Sequence, residues 1–322
     1  MKLPPVRFGF LLACFLGLLA LSLNFGMENQ ESFLFYNLRL TRVLTAVAAG
    51  GALALAGLLL QTYFQNPLAG PYVLGVNSGA TFLTALFIVS SSSNQILLQS
   101  MLTDWGMMGI SIAGSMITLF IVIFLSRTFK TKSGLIIFGL LFSHITSGLT
   151  TVILSYAKDD ELRSILFWSF GSFQRTSPEI VFWFMAIVFI LAFACLFLAK
   201  DLNLMGLGAE YASLSGLNQK RLETIVIAIG GILSGIVLGI CGPIAFVGLA
   251  AIHLAKIIFK TESHFILIPA SFVVGSSLAL AAETFLITIS PTSIPLNAVL
   301  GILSGPIILA FILRPGYKWG QE

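Results

Sequence analysis

Few side chains in this sequence could do bond chemistry, and most of them stand alone. Glu283 is the one acidic residue clearly inside a long apolar run, AAETFLI. A carboxyl there either relays a proton or holds a hydrogen bond within a helical bundle. His144, His253 and His264 are scattered. Cys14, Cys195 and Cys241 lie in apolar runs without disulfide or metal-type spacing, so they read as small core residues. There is no G-x-x-x-x-G-K-S/T phosphate loop, no H-E-x-x-H and no Cys/His cluster. What does concentrate is a set of helix breakers. QNPLAGPYVLGVNSGA, at 65–80, separates the greasy runs VLTAVAAGGALALAGLLLQ and TFLTALFIV. Pro67 and Pro71 remove backbone donors and push Asn66 and Gly70 out of helical geometry. Asn77, Ser78 and Gly79 then open the next run. The stretch is either an ordinary loop or a helix broken to shape a path. Irregular backbone at membrane depth is tolerated only where protein or water covers it. Gln61, Asn66, Pro67, Asn77, Ser78 and Gly79 are the candidate path residues, with plain core hydrogen bonding as the alternative for Gln61, Asn77 and Ser78, as for His144.

The elements that must position them are set by composition. Charged residues make up 9% of the 322 and apolar ones 57%, and mean hydropathy is +1.00. A soluble domain carries about 25% charged residues, so this chain needs lipid as its solvent. The apolar runs are long and continuous, which excludes the short alternating segments of a membrane barrel. The expected fold is all-α, a polytopic membrane bundle in a single unit over 1–322. Ten crossings are expected, near 8–26, 43–63, 72–90, 106–126, 134–156, 179–199, 223–242, 244–260, 266–289 and 296–314, the third and eighth marginal in length. The first is read as a retained span, since its apolar run exceeds a signal peptide's usual core. With both termini cytoplasmic, the inside segments hold Lys2, Arg7, Arg127, Lys130, Lys132, Lys200, Lys220, Arg221, Lys256, Lys260, Arg314 and Lys318. The outside segments hold only Arg39, Arg42, Lys158, Arg163 and Arg175. That asymmetry is the positive-inside sense and supports the full count. The net charge is +4, but it is the arrangement of the basic residues that sets orientation, and no nucleic-acid partner is expected. Gly231, Gly235 and Gly239, and likewise Ala46, Gly50 and Ala54, repeat every four residues, as tight helix packing in lipid requires. GGALALAGLLLQ leading to NPLAGPYVLG is echoed by GGILSGIVLGI leading to CGPIAFVGL, which reads as an inverted repeat.

Several long stretches carry a resemblance. LRLTRVLTAVAAGGALALAGLLLQTYFQNPLAGPYVLGVNSGA, LRSILFWSFGSF, LNLMGLGAEYASLSGLN, GPIAFVGLAAIHLAK and IPLNAVLGILSGPI, in that order, are similar to FecCD-type permeases of ABC importers for iron-siderophores, haem and cobalamin. The resemblance covers nearly the whole chain. It implies a homodimeric permease of the inner membrane that carries no cofactor. Two cytoplasmic ABC ATPase subunits would hold ATP and magnesium, and a substrate-binding protein would dock outside. It implies that Leu207, Gly208, Glu210, Ala212 and Gly216 belong to two short cytoplasmic helices that fit an ATPase groove. It also implies that Arg39 and Arg42, just before the second span, pair with acids of the binding protein; lipid-headgroup contact is the alternative. The chain departs from the family pattern at Thr41, Ile252 and Lys256, at Asn297 in place of a glycine, at Glu283 in place of Asp, and at Ile287 in place of a docking Arg. No catalytic residue is expected. A gradient-driven secondary transporter is the competing reading, disfavoured by the shortage of charges inside spans.

Overall fold

A computed structural model of the chain describes residues 5–24, 33–90, 104–126, 128, 132–289 and 294–313. Of the basic residues counted above, Lys2, Arg127, Lys130, Arg314 and Lys318 lie outside the described residues. Among the described residues every regular element is helical. In chain order these are α1 (Pro5–Asn24), α2 (Phe33–Phe64), a 3-10 turn (Pro71–Leu74), α3 (Val76–Ser90), α4 (Asp104–Ser126), α5 (Lys132–Leu154) and α6 (Asp159–Ser169). They continue as α7 (Pro178–Phe197), α8 (Ala199–Gly206), α9 (Ala209–Leu214), α10 (Gln219–Cys241), α11 (Val247–Phe259), α12 (His264–Ile289) and α13 (Leu296–Ile312).

Seven of these helices, α1, α2, α4, α5, α7, α10 and α12, are long and apolar enough to cross a membrane. Three more are apolar but short: α3 has 15 residues, α11 has 13 and α13 has 17. At ~1.5 Å per residue they reach only about 20–25 Å, against a hydrocarbon core of about 30 Å. For α3 and α11 the helix breakers come directly before the helix. Local chemistry sets several of the boundaries. Ser177 caps α7, its hydroxyl accepting from Ile180 N at 3.4 Å, with Pro178 in the first turn. Asn218 caps α10 by accepting from Arg221 N at 3.0 Å. Gly242, at φ 76°, ends α10 in a conformation that a side chain would strain.

Helix α2 is the axis of the bundle. Its residues from Thr45 to Leu60 are buried, and α12, α10, α11 and α7 pack around it. The expected small-residue faces are where helices meet. A Cβ on Gly50 would run into the backbone of Gly275 on α12, and one on Gly275 would run into Gly50. Gly231, Gly235 and Gly239 of α10 receive Leu119, Ser115 with Met116, and Ile112 of α4. The outward helices expose large apolar side chains instead, among them Phe182, Phe193 and Phe197 on α7, as suits a lipid or subunit surface. Helix α1 lies against α12, where Ser22 Oγ and Thr284 Oγ1 share a hydrogen bond of 2.6 Å.

Two expectations needed revision. The helix holding the second span begins at Phe33, not near residue 43, so Arg39 and Arg42 are inside it. Residues 159–169 form an amphipathic helix that no apolar run announces.

Candidate path and coupling sites

The expected break in the second span is present, and it meets its sequence echo in space. Helix α2 stops at Phe64, and Gln65 takes a left-handed conformation at φ 51°. Asn66 Oδ1 accepts from Leu68 N at 2.9 Å, an Asx turn that stabilises the reversal before Pro67. The chain runs through the 3-10 turn to Gly75, at φ 78°, and into α3. The second break follows α10, with Gly242 and Phe246 both at positive φ. Gly70, Pro71, Tyr72 and Asn77 from the first break face Ile244, Ala245 and Phe246 from the second across a cavity of about 40 Å³. The two irregular segments therefore cover each other in part, with Tyr72 and Phe246 still about half exposed. Of the other path candidates, Ser78 is half-buried on α3. Gly79 packs against Gly114 and Thr118 of α4, where a Cβ would not fit, so the geometry gives it a packing role.

At the α2 terminus lies a larger cavity, of about 530 Å³, lined in part by Gln61, Asn66, Pro67, Asn203, Lys256 and His264. Gln61 is 6% exposed, and its Nε2 has no hydrogen-bond partner among the described residues. Lys256 Nζ pairs with Glu262 at 2.6 Å on its rim. Tyr63 donates its hydroxyl to Glu223 Oε2 of α10 at 2.9 Å, which gives that carboxylate a partner. The residue that departs from the family's arginine, Lys256, thus keeps a positive charge and an acidic neighbour.

Helices α8 and α9 form a hairpin on the same end. Gly208 and Gly216 sit at φ 118° and 83° and turn the chain before and after α9. Ala212 is fully buried under the hairpin, while Gln219 Nε2 donates to Ala209 O and ties it to α10. What faces outward is apolar: Leu207 is 68% exposed, Tyr211 54% and Leu214 87%, with Glu210 exposed beside them. The expected coupling residues are therefore brought together, and three of the most exposed apolar side chains of this end sit on one small knob.

At the opposite end a pocket of about 340 Å³ is lined by residues that include Gln174, Arg175, Glu283 and Ile294. Glu283 is 1% exposed, its Oε1 has no hydrogen-bond partner among the described residues, and Arg42 lies within electrostatic reach. Arg39 is 6% exposed and donates to Leu23 O at the end of α1, at 3.2 Å. Arg42 is the more accessible of the two arginines.

Sequence reasoning missed the tie at Asn297. Its Nδ2 donates to Ser169 O at 3.2 Å and Pro243 O at 2.6 Å, and its Oδ1 accepts from Ala245 N at 3.2 Å. The backbone adds Ser172 N to Cys241 O at 2.8 Å and Asn297 N to Phe170 O at 3.2 Å. The end of α6, the second break and the start of α13 are thereby one hydrogen-bonded unit. The available signal was the departure from glycine at 297. The cluster of Thr62, Asn203 and His264 was missed for want of any signal, since its members come from three distant segments.

A bundle of long apolar helices, with two helix breaks packed face to face and an apolar two-helix knob at one end, defines a membrane permease. Comparison with known proteins agrees. The model of the FecCD transport family matches residues 7–314, and the chain belongs to that family. It is 30% identical over 326 residues to the hemin transport system permease protein HmuU of Yersinia pestis, covering 97% of this chain and 96% of that one. It is 31% identical to the Fe(3+) dicitrate transport system permease protein FecC of Escherichia coli, over 88% and 84% of the two chains. It is 28% identical to the vitamin B12 import system permease protein BtuC of Klebsiella pneumoniae, over 89% and 85%. A solved inward-facing structure of a metal-chelate type ABC transporter superposes with a TM-score of 0.85 at 27% identity, covering 97% of this chain and all of that one. The protein is thus a multi-pass ABC-importer permease of the inner membrane, and the gradient-driven reading gives way.

Proposed function

We propose that two copies of this chain form the membrane path of an importer for an iron chelate, haem or a corrinoid. Each copy makes ten crossings with both termini in the cytoplasm. The chain has no catalytic activity and no cofactor of its own. Two ATPase subunits, carrying ATP and magnesium, seat on the α8–α9 hairpin, and a substrate-loaded binding protein docks at the end where Arg42 and the Glu283 pocket lie. The observation that carries this reading is the hairpin itself. A knob with Leu207, Tyr211 and Leu214 exposed on the basic, cytoplasmic end is unstable as bare surface and suited to a partner's groove. The substrate class is supported by relatives named for hemin, iron(III) dicitrate and vitamin B12. A relative named for molybdate import marks the range that the same architecture accepts. The test is a Tyr211→Cys permease purified with its ATPase partner. A bifunctional thiol reagent should cross-link position 211 to the ATPase, and no cross-link in an assembled complex would count against the docking assignment.

A further inference from the structure

The hydrogen bonds around His264 connect the hairpin to the break in α2 more directly than packing alone. The backbone N–H of His264 donates to Asn203 Oδ1 at 2.8 Å, which fixes that atom of the amide as the oxygen. The same oxygen lies 2.8 Å from His264 Nδ1, so Nδ1 carries the proton. Nε2 is then the acceptor, and it takes the hydroxyl proton of Thr62 at 2.7 Å. Asn203 is on α8, His264 opens α12 and Thr62 is in the last turn of α2. One helical turn beyond Thr62, Gln65 reaches back in the same direction, its Nε2 donating to Met205 O of α8 at 3.0 Å. Gln65 is also the left-handed residue at which α2 stops. A non-glycine residue holds that backbone conformation only where its surroundings impose it. The helix end itself closes around this residue through Asn66 N donating to Gln61 O at 3.2 Å, and the bond to Met205 O ties that turn to α8; Asn66 and Pro67 follow at once.

We infer that Gln65 is a hinge, and that the Asn203–His264–Thr62 chain with the Gln65–Met205 bond is the strut through which α8 sets it. Both ties run from the hairpin to the final turn of α2. A displacement of α8 therefore moves the end of α2 and the start of α12 together, and carries the left-handed turn at Gln65 with them. The first break, and with it the cavity wall at Asn66 and Pro67, then follows the position of the hairpin. The inference rests on the proposed seating of the ATPases on that hairpin. These are positioning residues, and none of them needs to touch substrate.

The test is hydrogen–deuterium exchange on the full permease assembled with its ATPase partner in nanodiscs, with and without ATP. In the wild type the ATPase should protect 207–216, and ATP should change exchange across 65–76. In His264→Phe the hairpin should stay protected and ATP hydrolysis should stay within about twofold of wild type, but the ATP response at 65–76 should fall to a small fraction of its size. His264→Gln, whose amide can still reach Thr62, should restore part of it. Thr62→Val keeps shape at that site and should act like His264→Phe, with the double variant no worse than either single one. Should His264→Phe fold poorly, Thr62→Val and Gln65→Gly decide the matter, the latter because glycine accepts φ 51° without the side-chain tie. A wild-type ATP response retained in Thr62→Val or Gln65→Gly would overturn the inference. So would a wild type whose 65–76 segment ignores ATP while 207–216 is protected. Absence of protection at 207–216 would instead remove the docking assignment beneath it.

Discussion

Asn297 shows how much one side chain can hold at the end of the bundle opposite the hairpin. Three side-chain hydrogen bonds join the start of α13 to Ser169, Pro243 and Ala245. Replacing it removes three bonds to part-buried or exposed backbone groups, at about 0.5–1.5 kcal/mol net for each. Asn297→Gly should therefore lower the thermal unfolding midpoint in detergent, and an unchanged midpoint would show that water replaces the bonds. The residue was visible in the sequence as a departure, but its partners were not, because they lie 54 and 128 residues away. Glu283 was legible as the lone intramembrane acid, and its burial near Arg42 is what an apolar run cannot disclose. Glu283→Gln should leave ATP-driven uptake intact, since the energy enters from the ATPase and not through a proton relay. Loss of uptake in that variant, with the protein still folded, would contradict this.

Among the elements, those built on continuous apolar runs were readable, and their small-residue faces predicted which surfaces would pack. The α2–α12 contact relies on Gly50 and Gly275, with backbone against backbone. An added methyl has only main chain to displace, so Gly275→Ala should cost about 1–3 kcal/mol, read as a lower unfolding midpoint or a lower yield of folded protein. The hairpin was legible from its two glycines and its polar–apolar mixture, and it can be tested without touching the core. Leu214→Asp, at a side chain 87% exposed, should leave folding unchanged and weaken ATPase capture at least about tenfold, the loss expected when a charge enters an apolar contact. Normal capture would move the docking surface elsewhere. Helix α6 was not legible. Its 11 residues carry three acids in the first turn and an apolar face of Ile165 and Trp168, too short and too mixed to stand out beside the spans. The early start of α2 escaped for a related reason: Arg39 and Arg42 look like the end of a span until Arg39 is seen folded onto Leu23 O.

At the scale of the whole molecule, charge and hydropathy settled the solvent and the general plan, and the paired breaks turned a faint repeat into a contact across one cavity. What they could not supply is the cargo, because no motif in the sequence encodes a ligand set for one. The central claim is that this chain is a gate driven by a separate ATPase. The most direct measurement is uptake into proteoliposomes of ⁵⁵Fe-labelled ferric hydroxamate, haemin and cobalamin. The permease should be tested alone under an imposed proton or sodium gradient, and again with its ATPase and binding protein plus internal ATP. The account predicts no accumulation in the first case and ATP-dependent accumulation of one cargo in the second. Robust gradient-driven accumulation by the permease alone would contradict it.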